Sequence, residues 1–141
     1  MTDQRSRGLI ITEEQWNRML ADVKARAPEE ACGLLAGKGS VVRTISPITN
    51  VLHSPVLYRM APEEQLAVFN QIDEQDLDLI GIYHSHPNGP QQPSERDLKE
   101  AYYPEAIQLI WYKQGADWHC RGFIIDSDQT FEVPLQVLGF E

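Results

Sequence analysis

Two histidines separated by a single residue, His84 and His86, end a short apolar run and could bind one metal ion. Side chains at positions i and i+2 of a strand point to the same face, so both imidazoles can reach an ion at about 2.0–2.1 Å. Asp97 follows eleven residues later and adds a carboxylate. Two histidines and one carboxylate give zinc three protein ligands and leave a fourth position for water, which is typical of catalytic rather than structural sites.

Asp97 also has an explanation that needs no metal. Ser94 followed by Asp97 three residues later is the ordinary pattern of a helix start, with a serine N-cap and an acid in the first turn. Taken alone, this capping interpretation is the better one. The combination with His84 and His86 at fixed spacing favours the metal site. Ser94 can cap the helix and still serve catalysis, because its hydroxyl would lie beside the metal.

The elements that must position these residues follow from hydrophobic periodicity and from turn signals. A capping box from Thr12 to Gln15 and apolar residues at helical spacing predict a helix over Glu13–Ala27. Two more helices are expected, one opened by Pro62 and a short one over Ser94–Tyr102. Seven strands are predicted at Gly8–Ile11, Cys32–Ala36, Val41–Ile48, Asp78–His84, Ala106–Tyr112, Trp118–Ile125 and Thr130–Val137. This alternation indicates a mixed α/β layer fold in a single domain over residues 1–141, with residues 1–7 expected to be flexible.

Composition and charge exclude several classes of protein. The chain has 141 residues with 12 Lys+Arg against 21 Asp+Glu, so its net charge of −9 argues against binding to nucleic acid. Two cysteines, Cys32 and Cys120, cannot form a disulfide scaffold, and Cys32 is expected to be a small buried strand residue. No apolar run approaches the roughly 20 residues that span a bilayer, and no secretory signal is visible, so we expect no membrane partner and a cytoplasmic location.

The spaced motif resembles that of a known family. His84-Ser85-His86-Pro87, a six-residue gap and then Ser94-x-x-Asp97 match the JAMM motif of the JAMM/MPN (Mov34/PAD-1) metallopeptidases. Upstream, Glu30-Ala31-Cys32-Gly33 fits the family's E-x-C-G-like context, and residues 58–66 resemble the stretch before the second helix of bacterial members. The resemblance covers about residues 8–125. It implies the MPN/JAMM fold, a mixed and partly curved β-sheet sandwiched by helices with cytidine-deaminase-like layering.

The resemblance also implies a role for each site residue. His84, His86 and Asp97 would bind one Zn²⁺ per chain. Glu30 would hold the metal-bound water as general base, and Ser94 would donate a hydrogen bond to the oxyanion. Sequence alone does not choose between Glu29 and Glu30, and only the resemblance selects Glu30. Two further histidines, His53 and His119, lack partners at ligand spacing and are expected to be non-ligands.

The implied activity is that of a zinc-dependent peptidase or isopeptidase. Family members cleave after the C-terminal glycine of ubiquitin-like proteins, and a stand-alone prokaryotic member is expected to act on a ubiquitin-like sulfur carrier with a Gly-Gly tail. A homodimer is compatible with these expectations. Two alternatives stay open, a non-catalytic MPN-type scaffold for a ubiquitin-like partner and a RadC-like protein associated with DNA repair. All five motif positions are filled, which disfavours the scaffold, and the net charge disfavours direct contact with DNA.

Overall fold

The computed structural model describes residues 8–139, so the expectation for residues 1–7 lies outside the described chain. Helix α1 spans Glu13–Arg26, α2 spans Pro62–Glu74 and α3 spans Glu95–Lys99. The strands are β1 Leu9–Thr12, β2 Cys32–Lys38, β3 Val41–Ile48, β4 Asp78–His86, β5 Ile107–Gln114, β6 Asp117–Asp126, β7 Gln129–Val133 and β8 Leu135–Leu138. No helix within residues 8–139 is long and apolar enough to cross a membrane.

All eight strands belong to one mixed sheet in the order β7-β6-β5-β4-β2-β3-β1-β8. Strand β4 lies at its centre, antiparallel to β2 and parallel to β5. Although β7 and β8 lie at opposite ends of this order, only Pro134 separates them along the chain. The sheet must therefore curve until its two edges approach each other, and the amide of Leu9 in β1 donates to the Pro134 carbonyl at 3.2 Å. The expected curved, mixed sheet is confirmed.

The prediction of one strand over Thr130–Val137 is wrong, because two strands meet there. Pro134 has no N–H to donate to a strand ladder, so the pairing changes at this residue. Before it, Val133 pairs with Gly122 of β6, and after it, Leu135 pairs with Leu9 of β1. The short helix after Ser94 also ends earlier than expected, at Lys99 rather than Tyr102.

Helices cover both faces of the sheet, as expected. Met19 and Val23 of α1 pack into one apolar cluster with Leu35 and Tyr83 of the central strands. On the opposite face, Val68 and Phe69 of α2 pack against a second cluster that contains Leu34 and Ile82. Neighbouring residues of a strand point to opposite faces. Ile82, His84 and His86 therefore share the face covered by α2, and the site lies where β4 ends on that face.

The first helix begins where the sequence predicts. Thr12 Oγ1 accepts from the amide of Gln15, and Gln15 Oε1 accepts from the amide of Thr12, which completes the capping box. Cys32 is fully buried in β2, as expected, and both cysteines are free.

Candidate metal centre

His84 and His86 lie at the carboxyl end of β4 and are almost completely buried, with 1% and 4% of their surface exposed. The strand end is held on both sides, since β2 pairs Cys32 with His84 and β5 pairs Ile110 with His84. A strand paired on both edges fixes the directions of its side chains. The two imidazoles therefore project from a rigid platform toward α3.

Asp97 lies in the first turn of α3, and the helix cap turns its carboxylate toward the histidines. Ser94 is the N-cap, its Oγ accepting from the Asp97 amide at 3.2 Å, while its own amide donates to Asp97 Oδ2 at 2.8 Å. The capping interpretation of Ser94 and Asp97 is therefore correct. It does not compete with the metal interpretation, because the Oδ2 atom that takes part in the cap also faces the imidazoles.

Three possible metal-ligand atoms, two imidazole nitrogens and one carboxylate oxygen, form a small triangle at this point. His84 Nε2 lies 3.0 Å from His86 Nε2, and Asp97 Oδ2 lies 3.2 Å from His84 Nε2 and 3.1 Å from His86 Nε2. Ligand atoms at about 2.0–2.1 Å from a tetrahedral zinc ion are separated by about 3.3 Å. The triangle thus has nearly the size that three zinc ligands require.

The protonation pattern suits a cation as well. His86 Nδ1 lies 2.8 Å from the carbonyl oxygen of Pro90, and because a carbonyl only accepts, Nδ1 carries the hydrogen. In the neutral ring, Nε2 of His86 is then left with a lone pair directed into the triangle. His84 Nδ1 is buried and finds no hydrogen-bond partner among residues 8–139.

The charges of the three groups are coupled. Burial lowers the pKa of His84, which favours the neutral ring that binds metals. Burial opposes protonation of His86 too, but its hydrogen bonds to Asp97 and to Pro90 outweigh burial and raise its pKa. Burial likewise acts against the anion at Asp97, yet His84, His86 and the Ser94 amide together hold the pKa of Asp97 well below its usual range. Asp97 is therefore an anion facing two imidazoles.

Glu30 enters the same site from the segment between α1 and β2. It is 5% exposed, and it offers a carboxylate oxygen within 4.8 Å of the ligand nitrogens of His84 and His86. Its backbone is fixed, since its amide donates to the Ser54 carbonyl at 2.8 Å and its carbonyl accepts from Asn50 Nδ2 at 3.1 Å. Glu30, His84 and His86 form a buried set that could hold a metal ion.

Glu29 and Glu30 lie in different surroundings. Glu29 turns away from the imidazoles and binds His53, with Oε1 3.0 Å from Nδ1 of that ring. Burial raises the pKa of Glu30 to about 8, and the nearby His86 offsets only part of this rise. A buried carboxyl whose pKa lies near neutrality can both accept and release a proton.

The other two histidines are placed outside the site. His53 is exposed and paired with Glu29. His119 lies on β6 and stacks on Tyr112, with ring centroids 5.7 Å apart. Neither belongs to the triangle.

Three residues that support the site were not identified from the sequence. The hydroxyl of Ser85 accepts from the Ala31 amide, so the middle residue of His84-Ser85-His86 ties β4 to the segment that carries Glu30. Asn50 holds the Glu30 carbonyl, and Tyr58 stacks on the His84 ring. Ser85 could have been suspected from its place in the motif. Tyr58 begins the stretch over residues 58–66 that resembles bacterial family members, but the resemblance gave it no role at the site. Asn50 stands far from the motif in sequence and carried no signal.

A groove of about 330 Å³ opens beside Asp97. Its floor is apolar, with Leu34 and Ile82 from the sheet, and its walls include Tyr58, Tyr102 and Tyr103. Asp97 also lines this groove, so the groove borders the triangle.

The chain is similar to proteins of a known family. Residues 12–125 match the family model described as prokaryotic homologs of the JAB domain. A protein of Thermus thermophilus named "Probable TtuB-protein conjugate cleaving protease" is 44% identical over 119 residues, covering 84% of this chain and 75% of that protein. The CysO-cysteine peptidase of Mycobacterium tuberculosis is 33% identical over 133 residues, covering 92% of this chain and 91% of that protein.

Solved structures share the fold. A solution structure of a protein from Desulfitobacterium hafniense has a TM-score of 0.82 at 31% identity and covers 94% of each chain. A JAB1/MPN domain protein from Archaeoglobus fulgidus has a TM-score of 0.59 at 20% identity, over 93% of this chain and 98% of the other. The expected MPN-type fold is confirmed.

Proposed function

This chain belongs to the prokaryotic JAB (JAMM/MPN) family of metallopeptidases, and on that premise we propose that it is a zinc-dependent hydrolase that cleaves after the C-terminal glycine of a ubiquitin-like or sulfur-carrier protein. The single observation that carries the proposal is the triangle of His84, His86 and Asp97, with both imidazoles buried and the buried Glu30 beside them. Relatives named for cleaving a CysO-cysteine and TtuB-protein conjugates support the substrate class.

His84, His86 and Asp97 are the residues that would hold the ion. Two carboxylates are available, and we assign Asp97 as the ligand because its Oδ2 lies 3.1 and 3.2 Å from the two ring nitrogens, at nearly the spacing of zinc ligands. Bound zinc would polarise the scissile carbonyl and lower the pKa of water at the site to about 7.

Glu30 is left free for proton transfer. Its carboxylate takes a proton from the attacking water and then gives it to the leaving amine, so one group serves as base and acid in turn. Its fixed backbone and buried side chain keep it at the same place through both steps.

Ser94 can stabilise the oxyanion without giving up its cap. In the cap its Oγ acts as an acceptor from the Asp97 amide, so its hydroxyl hydrogen stays available for donation. That hydrogen can bond the oxygen that becomes negative as the carbonyl carbon turns tetrahedral.

The groove beside Asp97 is where we place the extended tail of the substrate. A Gly-Gly end fits such a path because it has no side chains that the walls must accommodate. The body of the carrier protein would stay outside the groove, and the released group would be an amino acid such as cysteine or a conjugated protein.

The test offers the purified chain a panel of ubiquitin-like carriers with C-terminal adducts, some carrying cysteine and some an amine-linked protein, and follows cleavage by mass. We expect loss of the adduct directly after the terminal glycine, abolished by a zinc chelator and restored by added zinc. A carrier whose tail ends in Ala-Ala is the matched control. A zinc-loaded chain that cleaves none of the adducts would overturn the proposed function.

A further inference from the structure

The two histidines of the metal centre are held in different ways. A metal-binding histidine ordinarily donates its second ring N–H to a carboxylate, a carbonyl or water, which fixes both the tautomer and the direction of the ring. His86 follows this rule through Nδ1 and the Pro90 carbonyl at 2.8 Å. His84 does not, since its buried Nδ1 has no hydrogen-bond partner within residues 8–139. The orientation of the His84 ring therefore depends on contacts other than a hydrogen bond at Nδ1.

The ring of Tyr58 provides one such contact. Its centroid lies 4.7 Å from the centroid of His84, and the two planes are inclined by 27°, which is a stacked arrangement. Stacked rings of this kind contribute stabilisation in addition to that from the surface area they bury. Tyr58 also excludes water from one face of a ring that is only 1% exposed.

The backbone around Tyr58 is itself fixed, so its ring can act as a rigid wall. Asn50 Nδ2 donates to the Leu57 carbonyl at 3.0 Å, and Asn50 Oδ1 accepts from the Arg59 amide at 3.1 Å. The Arg59 carbonyl accepts from the Val51 amide at 2.9 Å. The residues on either side of Tyr58 are thus both bound to the segment that begins at Asn50.

The same asparagine connects Tyr58 to the proposed base. Asn50 Nδ2 also donates to the Glu30 carbonyl, and Asn50 is 4% exposed. One buried side chain therefore sets the position of Glu30 and that of the ring against His84.

We propose that Tyr58 is a positioning residue of the metal centre, whose ring holds the His84 imidazole in its zinc-binding direction in place of the missing hydrogen bond. This inference rests on the proposed zinc site. The aromatic ring rather than the hydroxyl would orient His84, because the contact between the two residues is between their ring planes.

The test measures zinc affinity of the metal-free chain by competition with a chelating dye, so it does not depend on turnover. Tyr58→Leu removes the ring and is expected to bind zinc about 10- to 100-fold more weakly, as happens when a group that orients a ligand is lost. Tyr58→Phe keeps the ring and should retain the affinity of the unaltered chain. Tyr102→Leu removes a tyrosine from the same groove without touching His84 and is the matched control.

A second variant protects the test against a folding defect. Tyr58→Met fills the space with a flexible apolar chain but offers no plane, so it should lose affinity as Tyr58→Leu does. Wild-type affinity in both ring-less variants would overturn the inference, and so would an equal loss in Tyr58→Phe. An unaltered chain that binds no zinc would overturn the proposed function together with this inference, whereas the first two outcomes overturn the inference alone.

Discussion

Ala31 and Ser85 are joined by two hydrogen bonds in opposite directions. The Ala31 amide donates to Ser85 Oγ at 2.8 Å, and the Ser85 amide donates to the Ala31 carbonyl at 3.0 Å. Ala31 follows Glu30 directly, and Ser85 lies between His84 and His86. The pair therefore fixes the proposed base relative to the proposed ligands, across 54 residues of chain.

Replacing Ser85 should disturb this alignment without removing a ligand. Ser85→Ala leaves the buried Ala31 amide without its acceptor, which should lower the free energy of unfolding by about 1–3 kcal/mol. We expect kcat to fall about 10- to 100-fold while zinc content is unchanged. Urea unfolding measures the loss of stability, steady-state kinetics the fall in kcat, and metal analysis the zinc content.

The control for Ser85 is Ser46→Ala, a strand serine of β3 whose side chain makes no hydrogen bond in the described structure. It should leave unfolding and turnover as they are. If Ser85→Ala also leaves the free energy of unfolding and kcat unchanged, the hydrogen bond to Ala31 does not hold Glu30 in place relative to the two histidines.

Glu30→Gln should separate turnover from metal binding. The amide keeps the size of the side chain but cannot take a proton, so we expect a loss of about 10²–10⁴-fold in kcat with zinc retained. Glu29→Gln changes the neighbouring acid, which faces His53, and should remain active. Full activity of Glu30→Gln would exclude it as the base, and loss of zinc in that variant would make it a ligand.

The stability of the metal-free chain should depend on pH because Glu30 is buried. Its pKa is raised from 4.5 to about 8 in the folded state, so between these values the folded chain holds a proton that the unfolded chain has released. The Glu30 contribution to the free energy of unfolding therefore falls as the pH rises through this window. Glu30→Gln removes this contribution.

Unfolding in urea without metal measures this effect. We expect Glu30→Gln to be more stable than the unaltered chain at pH 8, by about 1–4 kcal/mol, and the gap to close toward pH 4.5. Glu29→Gln should follow the unaltered chain throughout. A gap that is the same at both pH values would show that Glu30 does not titrate in this way.

Ser94 has two tasks, and two substitutions separate them. Ser94→Ala removes both the cap and the hydroxyl, so it should cost about 1 kcal/mol of stability and slow kcat more than it raises KM. Ser94→Gly removes the hydroxyl too, but glycine is an acceptable N-cap and costs only a few tenths of a kcal/mol. We expect both variants to lose about 10²–10³-fold in kcat.

Thermal unfolding and steady-state kinetics check this pair, and Ser94→Thr, which keeps a hydroxyl, is the control. Turnover that recovers in Ser94→Gly along with stability would leave Ser94 as a cap alone. A change confined to KM would remove it from the oxyanion role.

Local patterns in the sequence predicted most of the fold, because helix starts and strand periodicity depend on neighbouring residues. The capping box at Thr12 and the strand ending in His84 and His86 are of this kind. Pro134 is a local signal for the division of the last strand, but the sequence does not show that β8 pairs with β1 at the other end of the chain. Pairings between distant segments leave no local pattern.

The residues of the site also fall into two groups, those that a local pattern predicts and those that it does not. Spacing alone suggested His84, His86 and Asp97, since a strand and a helix turn set their directions. Spacing could not predict the roles of Tyr58 and Asn50, although Tyr58 lies in the resembling stretch 58–66, because these roles depend on contacts with His84 and Glu30 that form only in the fold. Glu30 was selected over Glu29 by resemblance, and the structure turns only Glu30 toward the imidazoles.

The most direct test of the central claim is anomalous diffraction at the zinc edge from crystals of the zinc-loaded chain. We expect one ion per chain, bonded to His84 Nε2, His86 Nε2 and Asp97 Oδ2, with Glu30 outside bonding distance. An ion bound elsewhere, or one that takes Glu30 in place of Asp97, would contradict it.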